Sequence, residues 1–206
     1  WLASGDSSVI EPQIRVAAES KKATVLDLKL YTEVLVQQQH FKLLEDFLPR
    51  LLRKNALNDT QWQQVFLAYF AAQASDELTA KYQHLGKKLQ AHAYTAYLTQ
   101  MAKTGQLASI ENELIKLLKQ KQHEQLAHIL SEAAPSNAYK LQSSIQERLK
   151  KDEHNNALLL ALACLANAQG DYDLAARVFD KALNSENKAQ YRQQAILSYE
   201  HSAQLD

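Results

Sequence analysis

The chain has 206 residues, with 23 Lys plus Arg against 23 Asp plus Glu, so its formal net charge is zero. That balance argues against the broad positive field of a nucleic-acid binder, and a single cysteine excludes an intrachain disulfide framework and a cysteine-rich zinc site. Only 4 Gly and 3 Pro leave little turn chemistry for a many-stranded β fold, whereas 33 Leu and 30 Ala are strong helix formers, so the composition predicts an all-α protein.

In chain order, the polar breaks recur at a period of about 34 residues, the length of a helix–turn–helix repeat unit. Gly5 and Gly105 are close to three such periods apart, and Gly105 and Gly170 close to two. Stepping from Gly5 places the intervening turns near Gln39 and Gln73, each between two apolar segments, and the midpoint between Gly105 and Gly170 places another near Asn137. Residues 1–23 read as a partial first unit and residues 24–187 as the repeats. Gln39 and Gln73 are poor substitutes for glycine at a tight turn, so another turn geometry is expected at both.

A helix from about Phe41 to Arg53 carries Pro49. Proline loses an intrahelical hydrogen bond and clashes with the preceding turn, so the helix is expected to kink there or close early. Asp59 or Thr60 is expected to cap the next helix, with Gln63 completing a capping box on Thr60. Asn58-Asp59-Thr60 also matches a glycosylation sequon, the weaker of its two readings. Gly86 stands where a C-cap glycine belongs. In the last unit Leu159, Leu162, Ala163 and Ala166 share one helical stripe, and Ala175, Val178, Phe179 and Ala182 another. Tyr172, just after the Gly170 turn, is expected to wedge between these two helices. The final helix, Lys188 to Leu205, reads as a cap over residues 188–206, with Gln190, Gln193, Gln194 and Glu200 as its polar surface. The longest apolar run, Ala157 to Ala166, is too short to span a bilayer and fits a buried helix. No signal peptide is visible, and a start at Trp1 suggests a piece of a longer chain.

The stretch Asn156 to Leu183 resembles a tetratricopeptide repeat. Leu162, Ala163, Gly170, Tyr172, Ala175, Phe179 and Ala182 fall on that family's signature positions, while Leu159, Ala166 and Asn187 replace its usual Trp, Tyr and Pro. Trp62 and Tyr69 occupy the first-helix aromatic positions of an earlier unit, with Phe66 where a small residue is usual. Tyr94 and Tyr97 occupy two such positions before Gly105. The resemblance implies a right-handed α-solenoid of antiparallel helix pairs, about five to six hairpins, forming one superhelical domain over residues 1–206. The stretches Thr24 to Lys54 and Leu141 to Leu183, with Pro49 in a second helix, further resemble the HemY-type proteins, inner-membrane tetratricopeptide proteins associated with haem biosynthesis in proteobacteria. That resemblance implies a bacterial parent anchored in the inner membrane by upstream helices, with this region facing the cytoplasm and recruiting haem-pathway proteins.

Catalytic constellations are not legible. None of the seven histidines, His40, His84, His92, His123, His128, His154 and His201, has the spacing of a His-Glu-x-x-His zinc helix. His40, at a first turn, could donate to a helix end. Cys164 lies mid-helix among small apolar residues, as a packing group does. Acidic pairs such as Glu45-Asp46 read as solubilising. Basic clusters at Lys21-Lys22, Arg50 to Lys54, Lys87-Lys88, Lys116 to Lys121 and Arg148 to Lys151 read as cations at helix C-termini. The surface left for function is the concave face of the first helices, where Lys29, Glu33, Gln63, His92, Thr95 and Thr99 point outward. The corresponding Ala157, Leu160, Ala161 and Cys164 of the last unit cannot clamp a carboxylate, and are expected to pack on a neighbouring helix or a partner. The sequence therefore reads as a non-enzymatic protein–protein interaction scaffold, with no metal and no resident cofactor expected. The alternative is a tetrapyrrole (haem) module using the groove and a His or Tyr ligand.

Overall fold

A computed structural model describes residues 7–202, with side chains from residue 11 onward. Within them lie twelve helices and no strand: α1 (Ser7–Glu19), α2 (Val25–Gln37), α3 (Phe41–Arg53), α4 (Asp59–Ala71), α5 (Leu78–His84), α6 (Lys87–Lys103), α7 (Leu107–Lys119), α8 (His123–Ser131), α9 (Tyr139–Leu149), α10 (Asn156–Ala168), α11 (Tyr172–Ala182) and α12 (Lys188–Ser202). The expected turn at Gly5 and the end of the expected final helix, residues 203–205, lie outside the described residues. The chain divides into two units, residues 1–97 and 98–206, with the boundary inside α6.

The tight turns share one geometry. After α2, α3, α6, α7 and α10 the chain takes a single residue into the left-handed region: Gln39 (φ 57°), Asn55 (φ 47°), Gly105 (φ 74°), Lys121 (φ 59°) and Gly170 (φ 77°). In each case the next residue's N–H reaches back five positions: His40 to Leu35 O, Ala56 to Leu51 O, Gln106 to Met101 O, Gln122 to Leu117 O, and Asp171 to Ala166 O. This is the Schellman closure, which satisfies the last helical carbonyls. Gln39 thus adopts the geometry that glycine would, contrary to expectation. The ends of α4 and α5, two places where the sequence predicted a turn or cap, close differently. At the expected Gln73 turn, residues 72–77 form a longer connection, and the Gln73 side chain donates to Tyr69 O at 2.9 Å. At the end of α5 the C-cap is Leu85 in extended conformation, not Gly86. Gly86 belongs to the start of α6, its carbonyl accepting from Gln90 N. Lys87 and Lys88 therefore open α6, the end where the macrodipole disfavours cations, rather than closing α5.

In the first unit α2 packs on α1, α3 and α4. Leu44, Phe47, Leu48 and Leu51 form the buried stripe of α3, at the i, i+3, i+4, i+7 spacing of an amphipathic helix. That helix runs unbroken through Pro49, which stands on its exposed side, where water can take the carbonyl of Glu45 that proline leaves without a donor. Arg50, read from sequence as a dipole complement, donates to the carbonyls of Glu19 and Ser20 and closes the end of α1. The buried face of α4 is aromatic. Trp62 stacks on Phe66 (5.6 Å), Phe66 on Phe70 (6.1 Å), and Phe70 meets Tyr97 (5.9 Å). Phe66, 0% exposed, is absorbed in this column where a small residue was the norm. Asn58, not Asp59 or Thr60, caps α4: its side chain accepts from Gln61 N, and Gln61 returns a bond to Asn58 N.

In the second unit α10 packs on α8, α9, α11 and α12. Every residue from Leu160 to Ala168 is buried, which explains why this helix is apolar around its whole circumference. The connection after α8 acts as a brace. Ala134 N donates to Ala102 O, Ser136 N donates to Ala168 O, and the Ser136 hydroxyl accepts from Leu107 N, so one short segment satisfies the ends of α6 and α10 and the start of α7. Glu111 of α7 accepts from the N–H groups of Lys140 and Leu141 and caps α9 from outside. The half-buried Tyr172 ring stacks on His201 of α12 at 4.5 Å. The expected polar cap is only partly polar. Gln194 is turned inward, donating to Ser131 O and accepting from Asn167, while Ile196 (41%) and Leu197 (37%) are exposed.

Candidate functional site

The first unit carries a groove between α2 and α4. Thr24 opens α2 with a capping box to Asp27, and Asn58 opens α4 in the same way, so both helices start with fixed registers. From that start, Lys29, Thr32, Glu33 and Val36 fall on one face of α2, at i, i+3, i+4 and i+7. Gln61, Gln64 and Val65 of α4, at i, i+3 and i+4, oppose them, and Leu57 closes the end. The cavity between them is about 230 Å³. Its floor is apolar, with Leu57 and Val65 6% and 8% exposed. Thr32 turns its hydroxyl to Leu28 O at 2.8 Å and contributes its methyl group. Lys29, Glu33 and the glutamines form a rim with one charge of each sign. Such a site can hold an apolar side chain while glutamine amides pair with a polypeptide backbone.

Of the residues expected to point outward, Lys29 and Glu33 line this groove. Gln63 is half-buried beside it, and Gln64, one position on, takes the lining role. His92 lies against Trp62, rings 5.0 Å apart and nearly parallel, with Nδ1 3.8 Å from a carboxylate oxygen of Asp59. Thr95 is half-buried on α6. Thr99 is 2% exposed, because α6 is enclosed on every side from Ala96 to Thr99. Gln61, Gln64, Leu57 and Val65 were not singled out from sequence; the signal was present in their spacing opposite the α2 face.

The second unit carries a groove of about 490 Å³ among α8, α10, α12 and the loop before α12. Glu124, Gln125, Ala127 and His128 face it from α8; Asn156, Ala157 and Leu160 from α10; Gln190 and Tyr191 from α12; and Asn184, Glu186 and Asn187 from the loop. Leu160, Ala161 and Cys164 are 5%, 0% and 1% exposed, packed on neighbouring helices as one of the two sequence readings had it. Burial pushes the Cys164 thiol well above its ordinary pKa, so it stays protonated. Burial, with Cys164 and Glu124 nearby, also raises the Tyr191 phenol to about 12.

Two polar groups depart from their sequence reading. Glu45 is not a solubilising surface acid: it accepts from the Tyr69 hydroxyl at 2.5 Å and the Lys81 ammonium at 2.9 Å, joining α3, α4 and α5. Burial alone would raise its carboxyl, but the Tyr69 hydroxyl, Lys81 and His84 outweigh that and hold it below the usual carboxylate range. Tyr69 is correspondingly pushed up, by burial and by the Glu45 charge. His40 makes no cap bond; its Nδ1 lies 3.8 Å from Glu11. Among the described residues no three or more His, Cys, Asp or Glu side chains gather in a metal-ligating cluster, and no helix is long and apolar enough to cross a membrane. No protein-family model, curated protein or solved structure matches the chain.

Proposed function

We propose that this chain is a non-enzymatic interaction scaffold, a right-handed array of about five to six helical hairpins whose first helices hold segments of partner polypeptides. The reading is carried by one observation: first helices lie side by side within each unit, α2 against α4 and α8 against α10, and open grooves lie along those faces. Stacked hairpins that bury a continuous core leave such a face available to partners. The likeness of residues 24–54 and 141–183 to HemY-type proteins names the partner class, proteins of the haem pathway, and an inner-membrane parent with this region on the cytoplasmic side.

The test blocks the grooves without touching the core. Gln64→Arg with Glu33→Arg fills the α2–α4 groove from its exposed rim, and Lys42→Glu on the exposed side of α3 serves as control. Co-purification of haem-pathway proteins with the parent is expected to fall with the first variant and persist with the second. Equal recovery from both, or none above background with the unaltered chain, would overturn the reading. A haem titration followed at the Soret band is expected to stay flat; a stoichiometric, saturable shift would replace the scaffold by a tetrapyrrole-binding module.

A further inference from the structure

The groove among α8, α10 and α12 differs in chemistry from the one between α2 and α4. Its floor is apolar and aromatic, with Leu160 5% and Tyr191 4% exposed. Its rim carries the carboxylates of Glu124 and Glu186 and no Lys or Arg, where the α2–α4 groove balances Lys29 against Glu33. Neither carboxylate forms an ion pair among the described residues. Five of the twelve lining residues are carboxamides. Asn184 Oδ1 and Asn187 Oδ1 accept from the loop's own backbone, and the other three, Gln125 of α8, Asn156 of α10 and Gln190 of α12, face the groove from three helices.

An extended peptide needs both donors and acceptors for its backbone, and an amide supplies both. A long cationic side chain needs an apolar path for its methylenes and an anion for its head. Leu160 and Tyr191, which line the groove's floor, supply the path. Glu124 and Glu186 supply the anions. Resting on the scaffold reading above, we infer that this groove receives an extended segment of a partner protein bearing Lys or Arg, its cation held by Glu124 and Glu186.

Three labelled decapeptides, of Ser alternating with Lys, Glu or Gln, test this by fluorescence anisotropy against the whole chain. The Lys peptide is expected to bind saturably and more tightly than the other two. Glu124→Gln with Glu186→Gln is expected to weaken it by about two- to thirtyfold, the range for two exposed ion pairs. Glu147→Gln with Glu153→Gln removes the same charge from exposed positions off the groove and is expected to change binding by less than about twofold. Binding that ignores the peptide's charge, or that falls equally with both double variants, would overturn the inference. Failure of all three peptides to bind would overturn it too, while leaving the scaffold reading to its own co-purification test.

Discussion

The left-handed turns yield the sharpest stability forecast. Five helices end in the same closure, two with glycine and three without (Gln39, Asn55 and Lys121). A non-glycine L-residue held there costs roughly 1–2 kcal/mol in contacts between Cβ and backbone. Glycine escapes that cost, but its freer unfolded chain returns about 0.4–1 kcal/mol of the gain. Gln39→Gly should therefore stabilise by about 0.5–1 kcal/mol, since Gln39 is exposed and only its backbone is used. Lys121→Gly should gain less, because a cation at the C-terminus of α7 goes with it, a loss of about 0.3–1 kcal/mol. Asn55→Gly should be close to neutral, because Asn tolerates this region. The reverse substitution, Gly170→Ala, should destabilise by about 0.5–1 kcal/mol through the backbone alone, because a Cβ there meets nothing within 4 Å. Urea unfolding followed by helical circular dichroism reads the series as shifts in midpoint at constant slope. A lower midpoint for Gln39→Gly, or an unchanged one for Gly170→Ala, would refute the turn argument.

Tyr69→Phe should cost about 1.5–3 kcal/mol, because it removes a bond to a charged acceptor, and a double-mutant cycle with Glu45→Gln should show coupling. Since the folded carboxyl of Glu45 lies below its unfolded value, its contribution is full above the unfolded pKa and is lost as pH falls through the folded one. The acid limb of stability should thus be shallower in Glu45→Gln, and identical limbs would contradict the network. Asn58→Ala should cost about 1 kcal/mol in urea midpoint while Thr60→Ala costs little, and the opposite order would return the cap to Thr60. The Cys164 thiol should resist a thiol-specific reagent in native buffer and react fully in urea; rapid native labelling would contradict its burial.

The helical class and most turn positions were legible because period and composition act locally. Gly105 and Gly170 marked their turns directly, and Ala157 to Ala166 announced an enclosed helix. Gln39 and Lys121 were not legible as left-handed residues, because packing of the flanking helices, not local preference, holds them there. Asn58 was passed over for its neighbours because a cap depends on where the first helical residue falls, and Asn, Asp and Thr all suit it. Glu45 read as a solubilising acid; its partners, like those of Glu111, lie on other helices, at separations no local pattern encodes. On the α2 side of the first groove, Lys29 and Glu33 were readable from helical phase. Gln61, Gln64 and Val65 required knowing that α2 faces α4. Thr99 followed the same outward phase but lies where α6 is enclosed all round.

The most direct test of the scaffold reading is photo-crosslinking in the cells that make the protein, with the reactive residue placed in turn at Gln64, Gln190 and, away from both grooves, Lys42 and Gln146. Mass spectrometry would then locate the attached residues. Groove positions are expected to join to short contiguous segments of a defined partner, with Lys42 and Gln146 silent. Equal attachment from groove and control positions, or none from the grooves, would contradict a scaffold that works through its first helices.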